Sequence, residues 1–220
     1  KDENTGQYNS TFNVLGTREL VKRIYIHLKK HRPDGMILYH NSGQVLMPIH
    51  GFADILCDGE NAFSLLDRLN NRGYENFLTL DTFRAEYMGH NLGSVVAFMP
   101  EFTRAKSIRV DEADEVGPQH AEYVLGLILL HDSALWITYF YDERPVKTMY
   151  QALSEYNFAS APYKFIPYWN QQITQKLDEK EAVVSFYVDK SKGRALMVVM
   201  NMSGKKKPFS FSINTAELGF

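Results

Sequence analysis

Four carboxylates stand in or just beyond short apolar runs of this chain, where the end of a buried strand would present them to a ligand. Asp54 lies inside the run Phe-Ala-Asp-Ile-Leu-Cys, and Asp58 and Glu60 follow it with Gly59 between them. Glu101 closes another run, Ser94 to Pro100. Paired carboxyl groups suit general acid and base work on a glycosidic bond, at about 5 Å for retention or roughly 6.5–9.5 Å for inversion. Asp58, Glu60 and Asp54 are therefore the candidate catalytic residues. Asp54 sits where an unpaired charge is costly. It is either paired with a basic group or a general acid of raised pKa. The competing role of Asp58 and Glu60 is to cap a helix beginning near Asn61.

A first apolar run, Gly35 to His40, ends in His40, Asn41 and Ser42, which with Glu101 would bind sugar hydroxyls or simply form a polar turn. Aromatic residues are abundant, with 13 Tyr, 14 Phe and two Trp. Trp136 and Tyr139, in the cluster Trp136 to Tyr141, are candidate platforms for the apolar face of a sugar. The other reading of that cluster is a set of core aromatics. His40 and His50 with Asp54 or Asp58 lack zinc-signature spacing, and no glycine loop for phosphate or serine elbow is present. No metal or cofactor is expected.

The elements that must hold these residues alternate. Leu20, Val21, Ile24 and Leu28 predict an amphipathic helix capped by Thr17 and closed by Pro33. The runs 35–40, 52–57 and 94–100 lack alternation and predict strands buried on both faces of a parallel sheet, whose carboxyl ends are where such folds place their chemistry. Helices are expected over 61–71 and 80–89, the latter capped by Thr79, and from Pro118 through the apolar stretch to Leu130. His131 would suit the end of that helix as a cation. A further helix opens at Pro145, with Val146, Met149, Tyr150 and Leu153 inward. After residue 160 come runs 182–188, 195–200 and 208–213, predicting antiparallel strands joined in sequence.

Of 220 residues, 45% are apolar and 23% charged, a globular composition. The formal charge of −2 gives no general attraction to nucleic acid or anionic membrane, and neither is expected as a partner. No run reaches the roughly 20 apolar residues of a membrane-spanning helix. Cys57 is the only cysteine, which excludes an internal disulfide. A start at Lys1 without methionine suggests a chain processed or cut from something longer.

Several motifs look familiar together: Arg18-Glu-Leu-Val-Lys-Arg23, Asp34-Gly35, His40-Asn-Ser-Gly43, Phe52-Ala-Asp54 with Asp58-Gly-Glu60, and Phe83-Arg-Ala-Glu-Tyr-Met-Gly89. With Phe165-Ile-Pro-Tyr-Trp169, Val184-Ser-Phe-Tyr187 and Leu196-Met-Val-Val-Met-Asn201, they resemble a group of bacterial glycoside-hydrolase-like proteins from polysaccharide degraders. The resemblance runs from about residue 14 onward. It implies an α/β fold: a TIM-type β/α barrel followed by a small antiparallel β-sandwich, with a carbohydrate-active role distantly similar to α-galactosidase-type enzymes. A complete barrel needs eight strand–helix units, and this chain holds about half. Residues 1–160 would be the C-terminal half of a barrel and 161–220 the β domain. The expected partners are a carbohydrate and either a missing N-terminal half or a second copy, and the expected location is secreted or periplasmic. The competing function is a non-catalytic carbohydrate-binding or scaffolding module.

Overall fold

The structure, a computed structural model, describes residues 2–8, 13–41, 46–70, 73–88, 93–104, 113–137, 140–170, 172–175, 177–178 and 180–219. Its first part is a four-stranded parallel sheet, β1 (Leu38–His40), β2 (Ile55–Asp58), β3 (Val95–Phe98) and β4 (Ala134–Leu135), in the spatial order β1-β2-β3-β4. Leu56 and Cys57 of β2 and Val96, Ala97 and Phe98 of β3 are all buried, so neighbours on both sides of each strand point away from solvent. That is why the runs of β2 and β3 carry no alternation; β1 departs from the expectation, since Leu38 is 39% exposed and His40 is exposed too. Among the described residues the sheet is open rather than a closed barrel.

Helices connect the strands: α1 (Val14–His31), α2 (Met47–His50), α3 (Glu60–Arg68), α4 (Leu80–Tyr87) and α5 (Ala113–Leu130), followed after β4 by α6 (Arg144–Tyr156). Thr79 caps α4 as expected, its side chain accepting from Thr82 N at 3.2 Å. The cap of α1 is Asn13 rather than Thr17, with Asn13 Oδ1 accepting from Gly16 N at 3.0 Å. An asparagine offers the same acceptor one turn earlier. α5 begins five residues before Pro118.

The expected stripe of α1 is only partly buried. Val21 is covered, whereas Leu20 and Ile24 are 59% and 50% exposed. The helix is held instead through Tyr25, Arg18 and Lys29: Tyr25 and Arg18 pack on Phe52, and Lys29 reaches Asp54. Tyr150 of α6 is likewise half-exposed, beside the buried Val146 and Met149.

The second part is an antiparallel sheet of order β5-β7-β8, made of β5 (Lys164–Ile166), β7 (Ala182–Asp189) and β8 (Arg194–Asn201). All eight residues of β7 are buried. The third expected strand does not follow β8 in the sheet: β9 (Ser212–Ile213) crosses over to pair with β6 (Thr174–Gln175), and α7 (Thr215–Leu218) ends the chain. Leu218 and Phe211 pack on Val184, Phe186 and Val188, covering one face of β7. α5 covers the other. Its Val124, Leu127 and Ile128 share one core with Phe83 of α4, Phe98 of β3, and Val183 and Met200 of the second sheet. The hydrophobic core thus crosses residue 160 without a break.

His131, just beyond α5, is fully buried and not a cation. Its Nδ1–H donates to Leu127 O at 2.7 Å, and its ring stacks on Trp169 and packs against Phe83. Burial drives its pKa down to about 4, so the imidazole is neutral at physiological pH.

Candidate active site

The parallel sheet delivers one cluster of polar groups at the carboxyl ends of its strands. β1 ends in His40 and Asn41, β2 in Asp58, and β3 runs through Met99 and Pro100 into Glu101. The ladder continues to these ends: Asn41 N donates to Cys57 O at 2.8 Å, Met99 N to Asp58 O at 2.7 Å, and Trp136 N to Phe98 O at 2.9 Å. Trp136 is therefore fixed at the same rim by its backbone, with its side chain 38% exposed.

Asp58 is half-buried. Its Oδ1 accepts from Gly59 N at 2.6 Å and its Oδ2 from Asn41 Nδ2 at 2.8 Å. Burial raises its pKa; the Gly59 and Asn41 donors oppose the rise, and the Glu86 charge adds to it. Gly59 turns the chain into α3 at φ 115°, where an added Cβ would stand 2.8 Å from Met99 O. This close turn aims Asp58 back at β1 rather than along α3. No side chain caps α3, so the expected capping role falls away for Asp58.

Glu60 opens α3 and belongs to a second group. His40 Nε2 lies 3.3 Å from Glu60 Oε2, and Arg104 NH1 lies 3.0 Å from Glu60 Oε1. The same NH1 donates to both Glu101 oxygens, at 2.7 and 2.9 Å. Glu101 is 2% exposed and sits at φ 48°, a left-handed conformation that a non-glycine residue rarely adopts. Because Glu60 and Glu101 share one nitrogen, their nearest oxygens lie closer than the roughly 6.5–9.5 Å of an inverting pair. Cys57 marks the centre. Its buried thiol is pushed up to about 11, mainly by burial and then by the charges of Asp58, Glu101 and Glu60.

Asp54 is elsewhere. It precedes β2, at the amino end of the sheet, where its Oδ2 accepts from Ile37 N at 2.8 Å and its Oδ1 from Lys29 Nζ at 3.1 Å. Those interactions, the Ile37 N–H foremost, lower its pKa. A proton donor needs the opposite shift, so the general-acid expectation for Asp54 is corrected to its alternative, a structural pair. Tyr139 and Ser42 lie outside the described residues. His50 is buried, and neither of its ring nitrogens has a hydrogen-bond partner among the described residues. Among the described residues no group of His, Cys, Asp and Glu could hold a metal ion.

Comparison of the chain with protein-family models, curated proteins and solved structures finds no match. The geometry of this rim is what speaks to function. Arg104 is the residue that sequence reasoning overlooked. Its signal was the spacing Glu101-Phe-Thr-Arg104, which puts a cation one turn beyond a strand-end carboxylate. Glu86 of α4 also acts electrostatically on Asp58.

Proposed function

We propose that this rim hydrolyses a glycosidic bond, with Asp58 as general acid and Glu60 or Glu101 as base or nucleophile. The observation carrying this reading is the contrast between the carboxylates around Cys57. Asp58 is half-buried and its pKa is raised by that burial, whereas Glu60 and Glu101 are both ion-paired to one guanidinium. Environments that separate carboxyl groups in this way divide acid from base or nucleophile. The exposed His40 would meet sugar hydroxyls and the ring of Trp136 would serve as a platform, whereas Asn41, 3% exposed, acts by orienting Asp58. Hydrolysis of a neutral oligosaccharide panel by wild type and by Asp58→Asn, Glu60→Gln and Glu101→Gln tests the roles. Loss of the acid should lower kcat by about 10²–10⁴-fold. Unchanged rates in all three variants would refute the reading.

A second reading, a carbohydrate-binding module without turnover, is favoured by Arg104 neutralising two of the three carboxylates. Calorimetry showing glycan binding that Trp136→Ala abolishes, with no hydrolysis by wild type, would select it.

The finer fold belongs to the same proposal: the parallel sheet is an arc of a TIM-type barrel. Strands in sequential order support this, since right-handed connections then put successive helices on one face. So do the outer edge of β1, unpaired among the described residues, and the exposed Leu20 and Ile24 of α1. A further strand–helix unit, from the same polypeptide or a second copy, would cover that surface. Sedimentation of the chain alone, and with any preceding segment of its polypeptide, tests which.

A further inference from the structure

The guanidinium of Arg104 is used on one side only. Among the described residues NH1 makes all of its polar contacts, to Glu60 and Glu101, and the plane lies over the Phe63 ring at 4.6 Å. Nε and NH2 have no partner among the described residues, and the side chain is 43% exposed. An arginine has five N–H donors in a rigid fork. Here the Nε–NH2 edge, the one that normally takes two acceptors side by side, is held in place by carboxylates at one corner and an aromatic ring beneath. It stands open beside Glu60 and Glu101.

We infer that this open edge of Arg104 is a sugar-binding subsite that takes two adjacent hydroxyl oxygens of an uncharged sugar ring. The inference rests on the hydrolase reading and adds the substrate class to it. The local charges select that class. Two carboxylates already touch this guanidinium, against Arg104 and His40 as the basic groups paired with them among the described residues. A uronate or sulfated sugar would bring another negative charge to a cation already matched twice over. Hydroxyl oxygens accept from Nε–H and NH2 without that penalty and can donate onward to Glu60 or Glu101. Arg104 is thus a specificity-determining residue, its NH1 corner holding the carboxylates and its other edge holding substrate.

Arg104→Lys separates the two edges. A lysine keeps one cation for Glu60 and Glu101 but has no fork. Steady-state kinetics on neutral cello-, manno- and xylo-tetraose should show KM raised about tenfold to a hundredfold in Arg104→Lys, the loss expected for hydrogen bonds to a charged donor. Its melting temperature should stay close to wild type, and kcat should fall by a smaller factor than KM rises. Tetragalacturonate should neither be cleaved nor compete. Wild-type turnover with KM unmoved by Arg104→Lys would overturn the subsite while leaving the hydrolase reading intact. Cleavage or tight binding of tetragalacturonate in preference to the neutral sugars would overturn the substrate class. Absence of binding and turnover with every sugar would overturn the hydrolase reading and this inference with it.

Discussion

His131 gives the sharpest physical prediction, because its burial couples stability to pH in a calculable way. The folded state holds its pKa at about 4, against 6.5 for a free imidazole. The unfolded chain therefore takes up a proton first as pH falls. The neutral side chain's full contribution is present above pH 6.5 and is lost progressively down to about pH 4. At 1.36 kcal/mol per pH unit, the loss over that interval is about 3 kcal/mol. His131→Phe retains a ring against Trp169 and Phe83 but cannot be protonated. At pH 7.5 it should be less stable than wild type by about 1–2 kcal/mol, since Leu127 O loses its donor. Urea denaturation at pH 7.5, 6.0, 5.0 and 4.5 should show that deficit shrinking and then reversing, a relative change of about 2–3 kcal/mol. Other titrating groups act on both proteins and cancel in the difference. A gap between the two that stays constant across these pH values would refute the assignment of a buried, neutral His131.

Other outcomes follow from single positions. His50→Leu should raise stability by about 1–3 kcal/mol in thermal denaturation, because it removes two buried ring nitrogens that have no partner among the described residues. Gly59→Ala should destabilise by about 1–3 kcal/mol, since it forces a side chain onto φ 115° and into Met99 O; it should also lower activity by displacing Asp58. Phe83→Ala, at the fully buried junction of α4, β3 and His131, should cost about 3–5 kcal/mol by chemical denaturation. If Asp58 is the acid, kcat/KM should decline on the alkaline side as pH rises through its elevated pKa. Asp54→Asn should leave that limb in place and lower only stability.

The parallel strands were legible because a strand buried on both faces must be apolar at consecutive positions, and β2 and β3 are. Their carboxyl ends followed, and with them Asp58, Glu60, Glu101, His40 and Asn41. Asp54 misled for a physical reason: a charge inside an apolar run marks proximity to a strand but not to which end. Only the return of α1, carrying Lys29, settles that its partner lies at the amino edge. The stripe of α1 was equally ambiguous, since periodicity marks an apolar flank whether or not a neighbour covers it. Strand β9 looked like a continuation of the β7–β8 hairpin because alternation carries no record of partner, and its pairing with β6 depends on residues some forty positions earlier. Arg104 was hidden because its role arises between Glu60 and Glu101, which are distant in sequence and share only a point in space.

The shared core beneath α5 sets a condition on how this chain can be handled by proteases. A cut within 157–163 would fall between the two sheets, yet Val124, Leu127 and Ile128 share a core with both. A nick there should leave the pieces bound together as one particle until denaturant parts them, whereas synthesis of 1–160 alone would leave α5 bare on the side that Val183 and Met200 cover. Such a fragment carries the whole carboxylate rim and still should aggregate or be degraded. The antiparallel sheet is thus a chaperone in cis for a site to which it contributes no residue.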